Sequence, residues 1–184
     1  MTSKIYSTFA ICILIITSCK NPSNQKKAFV DPRPGDQVGF VEMVGNLRDE
    51  REKNEGNEYR ISEIEQRAST FLNKNIQIKN WIGMVEKITG EGNDCYVWVN
   101  INCGPAITNS EKDEKEFLFF GELFGGQILI YCKTSNNSPC KTFNVGDKVM
   151  ISGRTEGERS FTDSGALDKP EIDLACSEIT KFNQ

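Results

Sequence analysis

The 184-residue chain carries 22 Lys and Arg against 26 Asp and Glu, a formal net charge of −4, and no histidine. The missing imidazole removes the commonest general base, the Ser–His and Cys–His dyads, and the imidazole metal sites. Polyanion binding usually leaves a Lys/Arg-rich footprint, and the lack of a basic block sets nucleic acid low among the expected partners.

The N-terminus reads MTSKIYSTFAICILIITSCK. Lys4 supplies a positive start, and Phe9 to Ile16 is an unbroken apolar run of eight residues. That is too short to span a membrane as a helix, which takes about 20 apolar residues, but it suits the core of a secretory signal. Its end, Ile16-Thr17-Ser18-Cys19, resembles the lipobox of bacterial lipoproteins. The resemblance implies a signal peptide over 1–18, cleavage before Cys19 and acylation of its thiol. It therefore implies a membrane partner through lipid on Cys19 and a place in the bacterial cell envelope. Lys20 directly after the cysteine favours the outer over the inner membrane.

Residues 19–46 begin polar and proline-rich, with Pro22, Pro32 and Pro34, and are expected to form a disordered tether. A helical segment is expected over 47–75. Its first part, RDEREKNEGNEYR, reads as a solvated charged stretch. Ser62 with Glu65 has the form of a capping box, and Ile61, Ile64, Ala68, Phe71 and Leu72 fall near one face. These predict an amphipathic helix from about Ser62 to Asn73.

From Ile76 the pattern becomes one of strands: IQIKNWIGMVEKI, CYVWVNINC, QILIYCK, DKVMISGR and EIDLACSEI. Each is rich in β-branched or aromatic residues, and turn-forming clusters separate them. Five strands in one small unit predict a mainly β fold over 76–184, a five-stranded Greek-key barrel like the OB-fold. The acidic stretch between the second and third strands reads as loop, and FLFFGEL after it as an extra strand or hairpin arm.

The series Trp81-x-Gly83-x-Val85, Ile130 to Cys132, Val145-Gly146-Asp147-x-Val149-x-Ile151-x-Gly153 and Leu174-x-Cys176 resembles the bacterial tRNA_anti-like OB-fold family. The resemblance covers roughly residues 76–180. It implies an envelope lipoprotein with an OB barrel, and the long 104–127 insertion departs from the simpler family pattern.

OB-folds usually engage ligands on strands 2 and 3. Alternation along the second strand assigns Cys95, Val97, Val99, Ile101 and Cys103 to the core. Tyr96, Trp98, Asn100 and Asn102 then face outward, where two rings and two amides could stack on and hydrogen-bond a ligand. The competing reading covers Tyr96 and Trp98 with the insertion or the N-terminal helix as a second small core, Phe117 to Phe120 being a natural lid.

Five cysteines remain after Cys12 and Cys19, and an extracytoplasmic address permits disulfides. Cys95 and Cys103 lie about 26 Å apart along one strand and cannot pair unless it breaks. Cys132 with Cys176 fits neighbouring strands of an OB barrel, and Cys132 with Cys140 would close the intervening loop. The spacings match no zinc site. Neither a P-loop nor GxSxG, HExxH or a partnered GxGxxG occurs. No catalytic residue, metal or cofactor is expected. The chain reads as a non-catalytic module for an unknown protein or small-molecule ligand, with a nucleic-acid or oligosaccharide binder and a structural surface protein as alternatives.

Overall fold

A computed structural model describes residues 30–91, 93–105, 117–118, 126–134, 138–158 and 167–183. The expected signal peptide, Cys19 and the first part of the expected tether lie outside these. In chain order the elements are α1 (Gly35–Lys53), α2 (Glu58–Leu72), β1 (Gln77–Glu91), β2 (Asp94–Asn100), β3 (Gly104–Pro105), β4 (Phe117–Leu118), β5 (Leu129–Thr134), α3 (Ser138–Thr142), β6 (Lys148–Glu158) and β7 (Glu171–Lys181).

Five strands close a barrel in the order β1-β2-β5-β7-β6, with β6 returning to β1. Only β5 and β7 run parallel among these pairs; the rest are antiparallel. This is the Greek-key order of the OB-fold, as the strand pattern predicted. The small β3–β4 hairpin stands apart, within the insertion.

The barrel closes where its strands kink. Asn80 adopts φ 56°, a left-handed conformation that Asn tolerates better than most residues, at the break between Ile78 and Trp81. Its N–H is held by Ser152 Oγ at 3.0 Å. Opposite, β6 bulges between Ser152 and Gly153, and a Cβ on Gly153 would run into the Ala175 carbonyl. Gly153 is therefore the point where two backbones approach too closely for any side chain. Gly146, in the turn before β6, has φ 88°, the left-handed region that glycine enters without a side-chain penalty.

The expected tether over 19–46 is corrected: helix begins at Gly35. The stripe Phe40, Val44 and Leu47 is buried, and the helix starts after Pro34 with Asp36 in its first turn and Arg51 and Lys53 in its last. Docking, more than propensity, holds it. The buried Gln37 side chain pairs with both backbone groups of one β1 residue, donating to Ile82 O at 2.5 Å and accepting from Ile82 N at 2.7 Å. Trp81 Nε1 donates to Asp36 at 2.9 Å. α2 starts earlier than expected, because Asn57 rather than Ser62 caps it, accepting from Arg60 N–H at 3.2 Å. Its stripe Ile64, Ala68 and Leu72 is buried as predicted. Both helices join the barrel interior in one core with Ile78, Trp81, Val85, Val149 and Ile151.

Arg48 ties α1 to the chain entering β5 and β7. It donates to the carbonyls of Leu167 at 2.5 Å, Gln127 at 2.8 Å, and Gly126 and Asp168 at 3.3 Å. Its density of carbonyl acceptors suits guanidinium, whose donors form a fixed fork.

At the far end of β6, both carboxylate oxygens of Glu158 are buried without a hydrogen-bond partner among the described residues. Burial pushes this carboxyl from 4.5 up to about 7. Below its unfolded value the group is neutral in both states. Between that value and about 7 the unfolded chain ionises first, so the fold loses stability as pH rises. Wild type minus Glu158→Gln should show a melting-temperature difference that falls from pH ~5 to ~7.5 and then levels. A flat difference across that range would contradict the burial.

Candidate ligand-binding face

Strand β2 alternates as its sequence demands. Cys95, Val97 and Val99 are fully buried inward, while Tyr96 and Trp98 point outward and are half-buried. The neighbouring strands complete a row on the outer face. Trp98 lies between Lys87 of β1 and Tyr131 of β5, and Tyr96 lies between Thr89 and Lys133.

The rings touch. Tyr96 and Tyr131 stack at 5.5 Å with an interplanar angle of 11°, and Trp98 meets Tyr131 edge-on at 4.7 Å. Aromatic neighbours at such spacings hold one another in place beyond the area they bury. Lys87 Nζ stands 4.8 Å from the Trp98 ring centre and Lys133 Nζ 5.7 Å from that of Tyr96. Lys133 also lies 3.4 Å from the Asp94 carboxylate, whose hydrogen bond holds the ammonium above its usual range. A cleft of about 340 Å³ opens beside the rings, lined by Tyr96, Tyr131, Lys133, Glu156, Asp173 and Leu174. That is the size of a small-ligand pocket. Rings, cations and carboxylates thus converge on one patch that can stack a flat ring, hold an anionic group and accept hydrogen bonds.

Asn100 and Asn102 do not belong to this face, which corrects their assignment. β2 ends at Asn100, and alternation stops with it: residues 100 to 103 are all buried. Asn100 Oδ1 accepts from the N–H groups of Asn102 at 3.0 Å and Ile128 at 3.4 Å, while its amide donates to Glu86 at 3.2 Å. Asn102 donates to the Gly126 carbonyl. The two amides brace the chain entering β5. Tyr131 and Lys133 were missed, although Ile130 and Cys132 facing inward leaves them facing outward by the same alternation. The proposed lid, Phe119 and Phe120, lies outside the described residues, and of Phe117 only the backbone in β4 is described.

The cysteines are also corrected. Cys140 is bonded to Cys95, at S–S 2.06 Å and Cα–Cα 5.7 Å, while Cys103, Cys132 and Cys176 are free. Cys95 occupies the inward rung opposite Thr134, at the barrel end against which α3 folds back. Cys132 sits one inward rung deeper, opposite Val97, out of reach of α3. Cys132 and Cys176 do lie on neighbouring strands, but Cys132 is level with Leu174. Two residues of offset and one strand spacing put the Cα atoms about 8 Å apart, beyond the ~7 Å a bridge allows.

Solved structures similar to this chain include the following two. A small single-stranded DNA-binding protein from Streptomyces coelicolor is 12% identical with a TM-score of 0.39, over 59% of this chain and 95% of its own. Schizosaccharomyces pombe Pot1pC bound to ssDNA is 13% identical with a TM-score of 0.31, over 61% and 81%. No protein-family model matches the chain, and no curated protein does. At these identities the likeness is one of fold. The low place given to nucleic acid among the partners is corrected, since one similar structure is a single-stranded DNA-binding protein and the other holds ssDNA. That expectation rested on the lack of a Lys/Arg-rich block in the sequence, and Lys87 and Lys133, on separate strands, stand against rings on one face without forming one.

Proposed function

We propose that this chain is a lipid-anchored, non-catalytic binding module of the bacterial cell envelope. Its OB barrel takes a ring-bearing ligand on the face formed by Tyr96, Trp98 and Tyr131. The observation that carries the reading is the contiguous row of three aromatic rings on the outer side of the barrel, Tyr96 and Trp98 half-buried and Tyr131 packed against both at 9% exposure, flanked by two lysines. The exposed parts of Tyr96 and Trp98, held in place by Tyr131, are suited to stacking flat rings. The lipobox-like Ile16 to Cys19 stretch and the resemblance to tRNA_anti-like proteins support the envelope address.

Stacking accommodates bases and sugar rings alike, and salt separates them. A short thymidine oligonucleotide bound through Lys87 and Lys133 loses affinity as salt rises, by roughly sevenfold from 50 to 200 mM for two phosphate contacts on a single strand; a neutral oligosaccharide does not. Either ligand should lose roughly 1–3 kcal/mol when Trp98→Ala removes its ring, if stacking is the contact. Unchanged affinity for the ligand that binds would remove this face from the account.

The anchor has its own test. Cys19→Ala should move the protein from the detergent phase to the aqueous phase on phase separation. Wild type already in the aqueous phase would end the lipoprotein reading.

A further inference from the structure

The aromatic face carries an order of charge across the barrel that stacking alone does not use. The strand registers set Lys87, Trp98, Tyr131 and Asp173 in one row, each level with the next on the neighbouring strand. Three strand spacings separate Lys87 from Asp173, roughly 14 Å along the row. The row ends at Gly157 of β6, level with Asp173. Here the register slips: between Thr155 and Gly157, β6 holds one residue more than β7 does. That extra residue is Glu156, and Gly157, at φ 110°, takes a conformation that glycine tolerates and other residues do not. Bulges re-aim side chains. This one sets the exposed Glu156 in the wall of the 340 Å³ cleft, together with Asp173, Tyr96 and Tyr131. Lys133 lines the cleft too, its ammonium 3.4 Å from the Asp94 carboxylate. A lysine thus stands at the β1 side of the face, rings in the middle, and two carboxylates at the β6–β7 side.

We propose that this cleft reads guanine. The base packs on the exposed part of the Tyr96 ring, its N1–H and 2-amino donors meet Glu156 and Asp173, and its phosphate lies across Trp98 toward Lys87. The inference rests on the ring-face reading above and adds the class of ligand. An ionised carboxylate accepts hydrogen bonds, never donates them, and repels phosphate. Carboxylates beside rings therefore select a flat ring with adjacent donors on its edge. Guanine has two, N1–H and the 2-amino group. Adenine sets an acceptor, N1, beside its amino group, and thymine has a single N–H between two carbonyls. A neutral sugar offers donors as well, but it gives Lys87 no anion to hold.

The test uses short labelled thymidine strands with one central guanosine, inosine or adenosine, titrated at a single salt concentration by fluorescence anisotropy. All three bases are purines with similar faces for stacking; inosine lacks the 2-amino group and adenosine lacks N1–H as well. The guanosine strand should bind tighter than the adenosine strand by roughly fivefold or more, the low end of what one bidentate base contact is worth, with inosine between them. Glu156→Gln should shrink that ratio, whereas Trp98→Ala should weaken all three strands together. The inosine comparison needs no variant. Guanosine monophosphate binding as tightly as the guanosine strand would assign the cleft to a free nucleotide, and weaker binding to a strand; both uphold the base contact. Equal affinity for the guanosine and adenosine strands, each weakened by Trp98→Ala, would overturn the proposal and leave the ring face standing. A neutral oligosaccharide binding there in place of every strand would do the same. Strands that bind but do not respond to Trp98→Ala would remove the ring face itself, and this proposal with it.

Discussion

Val149→Asp should cost the fold several kcal/mol, roughly 3–5, and lower its melting temperature by tens of degrees or abolish cooperative folding. Val149 is fully buried, opposite Gly83 of β1 and Lys181 of β7. A carboxylate there loses its hydration and finds nothing to offset the loss. The buried polar residues are Gln37, Asn100, Asn102, Ser152 and Thr155, so among the described residues no buried cation is at hand. The exposed Arg154→Asp further along β6 should change stability little, which ties the effect to the inward register. Thermal denaturation of both variants decides it. A Val149→Asp protein melting within a degree or two of wild type would mean that β6 runs with the opposite face inward.

Trp81→Ala is the second large effect, about 3–5 kcal/mol by the usual cost of deleting a core aromatic. Trp81 is 1% exposed and joins three layers. It packs against Phe40 of α1 at 5.2 Å, Phe40 in turn stacks on Phe71 of α2 at 5.1 Å, and the indole N–H is held by Asp36. Losing the ring opens a cavity between helices and barrel and removes a donor from Asp36. Far-ultraviolet circular dichroism should show helix lost ahead of strand as denaturant rises. A single transition at the wild-type midpoint would show that the helices do not depend on this contact.

Much of the barrel was legible because strands write their burial into alternate residues. Val97 and Val99 inward with Tyr96 and Trp98 outward, Val149 and Ile151 inward, and Gly146 in the left-handed region were all readable from residue type and spacing. The failures share a cause, which is dependence on distant partners. α1 carries Gly35, Gly39 and Gly45 and follows three prolines, so local propensity argues against a helix; its docking through Gln37 and Phe40 comes from β1 and α2, far along the chain. Asn100 and Asn102 obey the alternation only on paper, because β2 stops and the chain turns into the bracing of β5. Cys140 reaches Cys95 only because α3 folds back on the barrel end, a contact across 45 residues that spacing does not encode. The lysines beside the rings were hidden for the same reason: each sits on a different strand from the ring it touches.

Chemical-shift mapping of the folded protein, titrated with a short thymidine oligonucleotide and with a neutral oligosaccharide in turn, tests the binding face most directly. The account predicts that at least one of them shifts the backbone amides of Lys87, Tyr96, Trp98, Tyr131 and Lys133 together with the Trp98 indole N–H, while Trp81, buried beneath α1, stays put. Shifts gathered instead on α3 and the far half of β7, or none on the outer face with either ligand, would contradict it.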